Sequence, residues 1–438
     1  MPAEAPAGQP GRQPESEPAL SQDPDNHSDL HPQGCSVEDA GALVLAAVNR
    51  LEAEEVLLSD SFGRVLARPV LADIDLAPFA GSAMDGFALV SRDCQAASRA
   101  RPQRLKVIGR IGAGEAFAGQ IGPGSALRIM TGAPLPAGLD AVVRLEDCAV
   151  EADGTILIQA PVAAGLNIRP AGQEAMAGDT LLKADTLINA AAAGLLASAG
   201  MSRVAVVRRP RVAIISTGSE LVDVGSRPGP GQIRSSNSYM LAAAVQRSGG
   251  QADILPHVAD DRRAFAKALG QAAATHDFVL TSGGAGDGDF DFTGATIQEL
   301  GRLAFSKVAM QPGKSQSFGL VQGVPVFGLA GNPAAAYCGF MVLVRPALRK
   351  MQGLQPFRPP LVRATLEVDG PPPAASPRHR RYLHARLNCA DGSLFVQPVD
   401  YGQPQLNSLQ HANCFLIVPE GSSPLLPGQP VDCLFFDD

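Results

Sequence analysis

DFVLTSGGAGDGDFD, residues 277–291, is the stretch of sequence that decides the fold. An apolar run, Phe278–Thr281, is followed by a glycine-rich segment and then by Asp287, Asp289 and Asp291. Glycines after a buried strand leave backbone amides open to an anion, and carboxylates beyond them suit a divalent cation. A solvated acidic loop is the alternative interpretation. The pattern therefore predicts a strand whose carboxyl end opens into a loop able to bind a ligand.

Three more apolar runs around this strand are each accompanied by a helix-like segment. The predicted strands are Val212–Ser216, Ala252–Leu255, Phe278–Thr281 and Val324–Gly328, and the predicted helices are Ser238–Arg247, Arg262–Ala274, Thr293–Leu300 and Ala334–Lys350. Strands that alternate with helices imply right-handed crossovers and a mostly parallel sheet with helices on both faces. Ligands bind such sheets at the carboxyl ends of the strands. We expect the loops after these strands to lie together.

Two further strand ends carry polar and glycine residues. Thr217, Gly218 and Glu220 follow the first predicted strand, and Gly328–Pro333 follows the last. Asn332 is a good N-cap and Pro333 a good first helical residue, so the positive end of the next helix would point to the same edge. Each loop alone could also be an ordinary turn with a cap. Their combination predicts an anion-binding site.

The charged residues near these loops are candidate ligands, but an ordinary structural role would also explain each of them. Lys307 and Lys314 could meet an anion, although lysines are usually solvated surface residues. Asp260 and Asp261 precede the predicted helix from Arg262 and could cap it. A capping role and a metal-binding role are compatible for this pair.

The rest of the chain indicates β-rich modules and a tail. Met1–Gly34 has almost no large apolar residues and should be disordered, whereas Ser36 can cap a helix over Ala40–Leu51. Short apolar runs separated by Gly and Pro predict a small all-β module before the α/β region and a barrel or sandwich after it. We divide the chain into a disordered tail (1–34), an N-terminal helix with the start of a linking domain (35–72), a small β-rich domain (73–170), the remainder of the linking domain (171–205), an α/β domain (206–354) and a C-terminal β-barrel domain (355–438).

Composition limits the function classes. The net charge of −7 argues against nonspecific binding to nucleic acid or an anionic membrane, so an anionic substrate would need a locally basic or amide-lined pocket. Seven cysteines without a C-x-x-C pair are typical of a reducing compartment. The N-terminus lacks a signal-peptide pattern, and the apolar stretch Ile188–Gly200 is too short to span a bilayer. We expect a cytoplasmic protein that binds neither nucleic acid nor membrane.

Taken in order, the motifs resemble the molybdopterin molybdenumtransferase family, which includes the bacterial MoeA proteins and the gephyrin E-domain. Two of them, SAMDGFA and RIMTGAPLP, would by themselves be only turns. The resemblance covers nearly everything from Ser36 to Phe436. It rests on Ser82–Ala88, Arg128–Pro136, Asn167–Arg169, Arg208–Glu220, Ser236-Asn237, Asp260-Asp261, Thr281–Asp291, Lys307–Lys314, Gly328–Pro333 and Leu406–Leu409.

The resemblance implies a fold and a reaction. The α/β part would be a three-layer α/β/α molybdopterin-binding domain, in an elongated homodimer whose small domains complete the cleft of the second subunit. Adenylylated molybdopterin and molybdate would be the substrates. AMP would leave as molybdenum joins the dithiolene, and magnesium is the expected metal. The molybdopterin adenylyltransferase is an expected partner.

The resemblance also assigns residues position by position. Asp85 and Thr131 would line the cleft from the partner subunit, and Ser408 would approach from the C-terminal domain. Lys307 and Lys314 would meet anionic oxygen. Metal and substrate would be held by Glu220, Asp260 and Asp291. The cofactor-binding loops would contribute Thr217, Gly218, Ser282, Gly283, Gly284, Gly331, Asn332 and Pro333.

Several positions depart from the family pattern. The K-P-G-K-P motif is here Gln311–Ser315, and G-L-P-G-N-P-V-S carries Ala330 and Ala335. Replacing Lys by Gln removes a charge-assisted contact worth about 1.5–3 kcal/mol if desolvated. A catalytically weakened paralogue that acts as a molybdopterin-binding, carrier or scaffold protein is therefore an alternative. Molybdopterin adenylylation is a third, against which the additional β-rich modules argue.

Overall fold

The computed structural model describes residues 35–284, 292–399 and 405–436. The predicted tail at 1–34, and the predicted roles of Asp287, Asp289 and Asp291, lie outside the described residues. The chain divides into two units. The first comprises Met1–Glu54 with Val207–Asp438, and the second is Glu55–Val206.

The helices and strands have the following bounds. The helices are α1 Val37–Ala46, α2 Ala190–Ser198, α3 Asn237–Arg247, α4 Arg262–Ala273, α5 Thr293–Leu300, α6 Pro333–Gly339, α7 Arg345–Met351 and α8 Leu406–His411. The strands of the first half are β1 Ala53–Leu57, β2 Val70–Leu71, β3 Gly81–Ser82, β4 Gly86–Leu89, β5 Gln103–Ile111, β6 Ser125–Ile129, β7 Ala141–Arg144, β8 Cys148–Val150, β9 Thr155–Ile158, β10 Ile168–Arg169, β11 Thr180–Leu182 and β12 Arg203–Val207. Those of the second half are β13 Arg211–Ser216, β14 Leu221–Val222, β15 Ile233–Arg234, β16 Gln251–Ile254, β17 Phe278–Ser282, β18 Gly301–Lys307, β19 Met310–Gln311, β20 Ser315–Val321, β21 Val324–Leu329, β22 Leu361–Leu366, β23 Arg380–Ala390, β24 Ser393–Pro398, β25 Cys414–Val418 and β26 Pro430–Phe435.

The first unit contains the predicted α/β domain. Its sheet has the order β16-β13-β17-β21-β20-β18; the first four strands are parallel, and β20 and β18 are each antiparallel to their neighbour. The four predicted strands are confirmed. Strand β18 was not predicted because it is an edge strand with mostly exposed or half-buried residues and so has no continuous apolar run. Strand β20 is mostly buried, but it was not predicted because Ser315, Gln316 and Ser317 make its first half polar.

Successive residues of the central strands pack on opposite faces of the sheet. Val212 and Ile214 belong to a core with α1, α3, α6 and α7, whereas Ala213 and Ile215 belong to a second core with α4 and α5. Strands buried on both faces are apolar without interruption, which is why they stand out in the sequence. The predicted three-layer α/β/α architecture is confirmed.

Two predicted helices differ in extent. The helix after Ser36 ends at Ala46 rather than Leu51, and the Leu51 amide donates to the Met351 carbonyl at 2.8 Å. The predicted helix Ala334–Lys350 is α6, a π-helical turn at Phe340–Val344, and α7. Pro346 in α7 has no amide hydrogen and its ring would crowd the preceding turn, which the wider π-turn relieves.

The C-terminal strands form the predicted barrel. Its order is β23-β24-β22-β26-β25, and pairing of β23 with β25 closes it. Strand β19, which follows the last strand of the α/β sheet, pairs in parallel with β23. Edge-to-face contacts of Phe436 with Phe415 (4.7 Å between ring centroids) and with Tyr337 of α6 (5.4 Å) join the barrel core to the α/β layer.

The second unit is β-rich, as predicted. Its main sheet has the order β7-β4-β6-β5-β9-β8. Phe87 and Leu89 of β4 face one apolar core and Ala88 faces another. Helix α2 packs in a third core through Leu196. In neither unit does the described part of the chain include a helix long and apolar enough to cross a membrane.

Candidate functional site

The carboxyl ends of three neighbouring strands lie side by side. Ser216 of β13 is in register with Ser282 of β17, which is in register with Leu329 of β21. The loops that follow are bonded to each other: the Thr217 amide donates to the Ser282 carbonyl at 2.9 Å, and the Gly283 amide donates to the Leu329 carbonyl at 3.3 Å. The loops after these three strands therefore form one continuous surface.

Close backbone approach explains Gly283 on this surface. Gly283 has φ +96°, and a β-carbon there would overlap the Thr217 carbonyl oxygen and lie 2.8 Å from the Thr217 hydroxyl. Gly284 has φ +59°. A β-carbon on Gly331 would lie 3.7 Å from the Gly283 Cα. Glycine is required at Gly283, where the backbones meet this closely, whereas the distance at Gly331 is an ordinary contact.

Asn237, at the start of α3, ties two of these loops together. Its Nδ2 donates to the Ser282 hydroxyl at 2.7 Å and to the Gly331 carbonyl at 2.8 Å. Its Oδ1 is buried and has no hydrogen-bond partner among the described residues. Sequence reasoning gave Asn237 no role, because an Asn at a helix start is most simply a capping residue. The only sequence signal was its place in the Ser236-Asn237 motif.

Two of the predicted metal ligands lie at the end of β13. Glu220 is exposed, and both carboxylate oxygens lie over Gly218, at 2.5 and 2.7 Å from where a β-carbon would stand. Asp260 Oδ2 accepts from the Ser219 amide at 3.0 Å, and the Ser219 hydroxyl accepts from the Asp260 amide at 3.1 Å. Asp261 alone caps α4, accepting from the Arg263 and Ala264 amides. The Asp260 carboxylate thus faces the loop that carries Glu220.

The described residues include no group of three His, Cys, Asp or Glu side chains placed to hold a metal ion. Asp291, the third predicted ligand, lies outside the described residues.

Lys307 and Lys314 lie at the same edge of the sheet. Strands β18 and β21 are each antiparallel to β20, so they run in the same direction. Lys307 is the last residue of β18 and therefore lies at the edge of the sheet where the parallel strands end. The Val308 amide donates to the Lys314 carbonyl at 2.9 Å. Lys314 is exposed and Lys307 is half-buried. The edge therefore combines glycine-lined loops, two cations and two carboxylates.

The cap of α6 is confirmed. Asn332 Oδ1 accepts from the Ala335 amide at 3.2 Å, and Pro333 is the first helical residue. The turn before Lys314 lies beside this helix, since a β-carbon on Gly313 would be 3.4 Å from the Ala335 carbonyl oxygen.

Asp85 and Thr131 form a pair in the second unit. Asp85 Oδ1 accepts from both the amide and the hydroxyl of Thr131, each at 2.7 Å. These two hydrogen bonds hold the pKa of the Asp85 carboxyl below its usual range. Both residues are exposed. The pair is an ionised carboxylate in a fixed orientation on the surface.

Ser408 is buried, with 8% of its surface exposed. Its hydroxyl lies 2.8 Å from His384 Nδ1 and donates to the Gln405 carbonyl at 2.8 Å. In the capping box of α8 it accepts from the Gln405 amide at 3.1 Å. A structural role accounts for this serine, and its predicted contact with a ligand stays a prediction.

The structure thus brings most of the predicted site residues to one edge of the sheet. This edge, which we call the loop edge, is formed by Thr217, Gly218, Glu220, Asp260, Ser282, Gly283, Gly284, Lys307, Lys314, Gly331, Asn332 and Pro333. Its amides and lysines can hold anionic oxygen, and its carboxylates can share a divalent cation with that anion.

Comparison with known proteins gives matches over the described parts of both units. Residues 35–200 match the MoeA N-terminal region (domain I and II), residues 213–350 a probable molybdopterin binding domain, and residues 372–436 the MoeA C-terminal region (domain IV). The chain is 35% identical over 400 residues to the molybdopterin molybdenumtransferase of Staphylococcus aureus strain COL, covering 91% of this chain and 94% of that one. The Staphylococcus epidermidis ATCC 12228 enzyme is 33% identical over 401 residues, covering 91% and 95%.

Solved structures show the same similarity. Two structures of molybdopterin biosynthesis MoeA proteins from Pyrococcus horikoshii superpose with TM-scores of 0.79 and 0.78 at 33% and 28% identity. Each alignment covers 92% of this chain and 100% of that one.

Proposed function

The chain belongs to the molybdopterin molybdenumtransferase family and is a transferase of molybdenum cofactor biosynthesis, and from this we propose the reaction that it performs. Molybdenum from molybdate is inserted into adenylylated molybdopterin, and AMP is released in a magnesium-dependent step.

The observation that carries this proposal is the close approach of Gly283 to Thr217. Glycine at this contact keeps side chains off the surface between the loops, so that a ligand can come close to the backbone. The adenylylated substrate carries a pyrophosphate, whose oxygens suit a glycine-lined surface of this kind. The loop edge is therefore the proposed binding site of the pyrophosphate.

Glu220 and Asp260 fit a magnesium site in their chemistry. Glu220 lies in the loop after β13, and Asp260 is hydrogen-bonded to Ser219 of that loop. Mg²⁺ commonly takes one or two carboxylates together with phosphate oxygens and water. We propose Asp291 as a third ligand. When bound there, magnesium would offset negative charge on the phosphoanhydride.

The lysines of the loop edge have a complementary role in this proposal. Lys307 and Lys314 bind oxyanion oxygens of molybdate or of the leaving phosphate, because the sheet places both at the edge where the loops converge. Positive charge aimed at the leaving group lowers the barrier to anhydride cleavage.

We further propose a cytoplasmic homodimer that receives its substrate from the molybdopterin adenylyltransferase. Asp85 and Thr131 complete the cleft of the partner subunit. The exposure of this hydrogen-bonded pair supports that role, since a fixed carboxylate on the surface is ready to meet a second chain. The six segments defined from the sequence remain our proposed domain boundaries.

A binding or scaffold protein without turnover remains the second candidate. Gln311 favours it, because this exposed side chain carries no charge where the family motif has lysine. Under this alternative, ligands bind but no product forms, and Gln311→Lys creates activity. Strong activity in the unchanged protein would dispose of it.

The test is the release of AMP from adenylylated molybdopterin by the purified protein with molybdate and magnesium. We expect release that depends on molybdate, and a drop of at least about a hundredfold in Glu220→Gln if that carboxylate holds the metal. Asp223→Asn, which changes an exposed carboxylate on the same segment, is the control and should keep full activity. No release above the Glu220→Gln level would overturn the proposed function.

A further inference from the structure

Gln316 is a fully buried amide directly behind the turn that carries Lys314. Its relative exposure is 0%. Its Nε2 donates to the Gly313 carbonyl and lies 3.1 Å from the Met310 sulfur. Both contacts are made within the segment that links the end of β18 to the start of β20. The amide thus spans the base of this turn.

The other side of the Gln316 amide presses on α6. A β-carbon on Gly339 would overlap Gln316 Oε1 and lie 2.8 Å from its Cδ, so only glycine leaves room for this side chain. Gln316 Oε1 has no hydrogen-bond partner among the described residues. A buried acceptor without a partner costs about 1–3 kcal/mol, which an apolar residue here would avoid. The residue is therefore poorly explained by stability alone.

Besides Gln316, the turn is restrained by the ring of Pro312 and by the hydrogen bond from the Val308 amide to the Lys314 carbonyl. Gly313 has φ +100°, a conformation that glycine adopts freely but does not enforce. Ser315 stands where the family motif has proline, so the fixed φ of a proline ring is missing. The family motif K-P-G-K-P has two lysines. Gln311 replaces the first, so Lys314 is the one that this chain retains. Its position depends on how firmly the turn is held.

We propose that Gln316 is a positioning residue for oxyanion binding, which holds the Pro312–Lys314 turn against α6 so that Lys314 meets the anion. This inference rests on the proposed function for the role of Lys314, and it adds the residue through which Lys314 is oriented. The anion is a tetrahedral oxyanion, either molybdate or the phosphate of the adenylylated substrate.

The decisive variant is Gln316→Met, which keeps the length of the side chain and removes the donor. We expect the KM of one oxyanion substrate to rise about three- to tenfold with a smaller change in kcat, as for the loss of one hydrogen bond. Separate titrations of molybdate and of adenylylated molybdopterin identify which anion Lys314 holds. Hydrogen exchange at residues 312–315 should become faster.

Gln352→Met is the matched control. Gln352 is also a buried glutamine, and its Nε2 donates to the Ser248 and Leu348 carbonyls, each at 2.8 Å, at the end of α7. We expect this variant to lose stability without a change in either KM. Equal KM values in the Gln316 and Gln352 variants would overturn the proposal.

Restoring the proline provides a rescue. The Val308–Lys314 hydrogen bond makes Lys307–Ser315 a non-hydrogen-bonded pair, so Ser315→Pro loses no bond to β18. In the Gln316→Met background, Ser315→Pro should bring KM back to within about twofold of wild type by restricting the turn. A double variant as impaired as the single one would count against the proposal.

Two outcomes separate this inference from the proposed function. If the wild-type protein releases no AMP, the proposed function fails, and calorimetric titration with molybdate together with hydrogen exchange still reports on the turn. Unchanged exchange and molybdate affinity in Gln316→Met would then overturn the inference as well. If Gln316→Met does not fold, Ser315→Pro alone carries the test and should lower KM, and an unchanged KM would refute it.

Discussion

Asn237 and Gly331, 94 residues apart in the sequence, are joined by a 2.8 Å hydrogen bond from the asparagine side chain to the glycine carbonyl. The same Nδ2 reaches the Ser282 hydroxyl. One side chain on α3 therefore sets the distance between the loops after β17 and β21. The geometry of the loop edge depends on this contact as well as on the glycines.

Asn237→Asp should disrupt the loop edge, because it replaces the donor with an oxygen that faces the Gly331 carbonyl. We expect a loss of about 1–3 kcal/mol in the free energy of unfolding and a fall in kcat/KM. Urea unfolding and AMP release measure the two effects. Asn413→Asp is the control: Asn413 bonds the backbone of Leu387 in the barrel and should cost stability without impairing turnover. Comparable kcat/KM values in the two variants would argue against the role of Asn237.

Gly283→Ala should be far more damaging than a glycine substitution at an open turn. Gly283 and Gly323 both have positive φ, but an added β-carbon overlaps the Thr217 carbonyl at Gly283 and meets nothing within 4 Å at Gly323. Gly323→Ala is expected to cost about 1–2 kcal/mol from backbone strain alone. Gly283→Ala should add loss of ligand binding to a larger loss of stability. The two variants can be compared by thermal unfolding with and without AMP and molybdate; similar behaviour would contradict the expectation.

Arg208 joins the two chain segments that flank the second unit. Its guanidinium bonds Asp277 through both terminal nitrogens, at 2.5 and 2.6 Å, and also contacts Glu52. Partial burial by itself would raise the pKa of the Asp277 carboxyl, but hydrogen bonds from Arg208 and the Arg211 amide outweigh it and lower that pKa.

A carboxyl whose pKa is lower in the folded state stabilises the protein above its unfolded-state pKa, and that stabilisation is lost as pH falls through the folded-state value. Asp277→Asn should therefore cost about 1–3 kcal/mol near neutral pH and progressively less in acid. Urea unfolding from pH 7 to pH 3 would show the two curves converging. A constant difference across this range would rule out the charge as the cause.

Thr131→Val should raise the pKa of Asp85 only part of the way to that of an ordinary aspartate. The substitution removes the hydroxyl donor but keeps the backbone amide, which is the larger cause of the lowered pKa. Carboxyl carbon chemical shifts followed by NMR titration would measure the change. An unchanged pKa would mean that the hydroxyl does not hold the carboxylate in solution.

Local sequence was sufficient for the features that depend on neighbouring residues. The three central parallel strands, β13, β17 and β21, could be predicted because strands buried on both faces are continuous apolar runs. The caps at Ser36, Asp261 and Asn332 could be predicted because a capping side chain bonds amides two or three residues away. The glycine-rich strand ends indicated an anion site for the same reason, since open amides are a property of the segment itself.

Tertiary structure decided what depends on residues distant in the sequence. The bond of Asn237 to Gly331, the packing of Gln316 on Gly339 and the arrival of Lys307 at the loop edge all follow from how the sheet orders its strands. Ser408, singled out by its motif, is instead buried against His384. A motif specifies which groups are available. Strand order and close packing determine which of these groups meet. One hydrogen bond between distant segments stabilises the fold far less than the burial of apolar strands does, so the packing of the strands sets the distances between side chains.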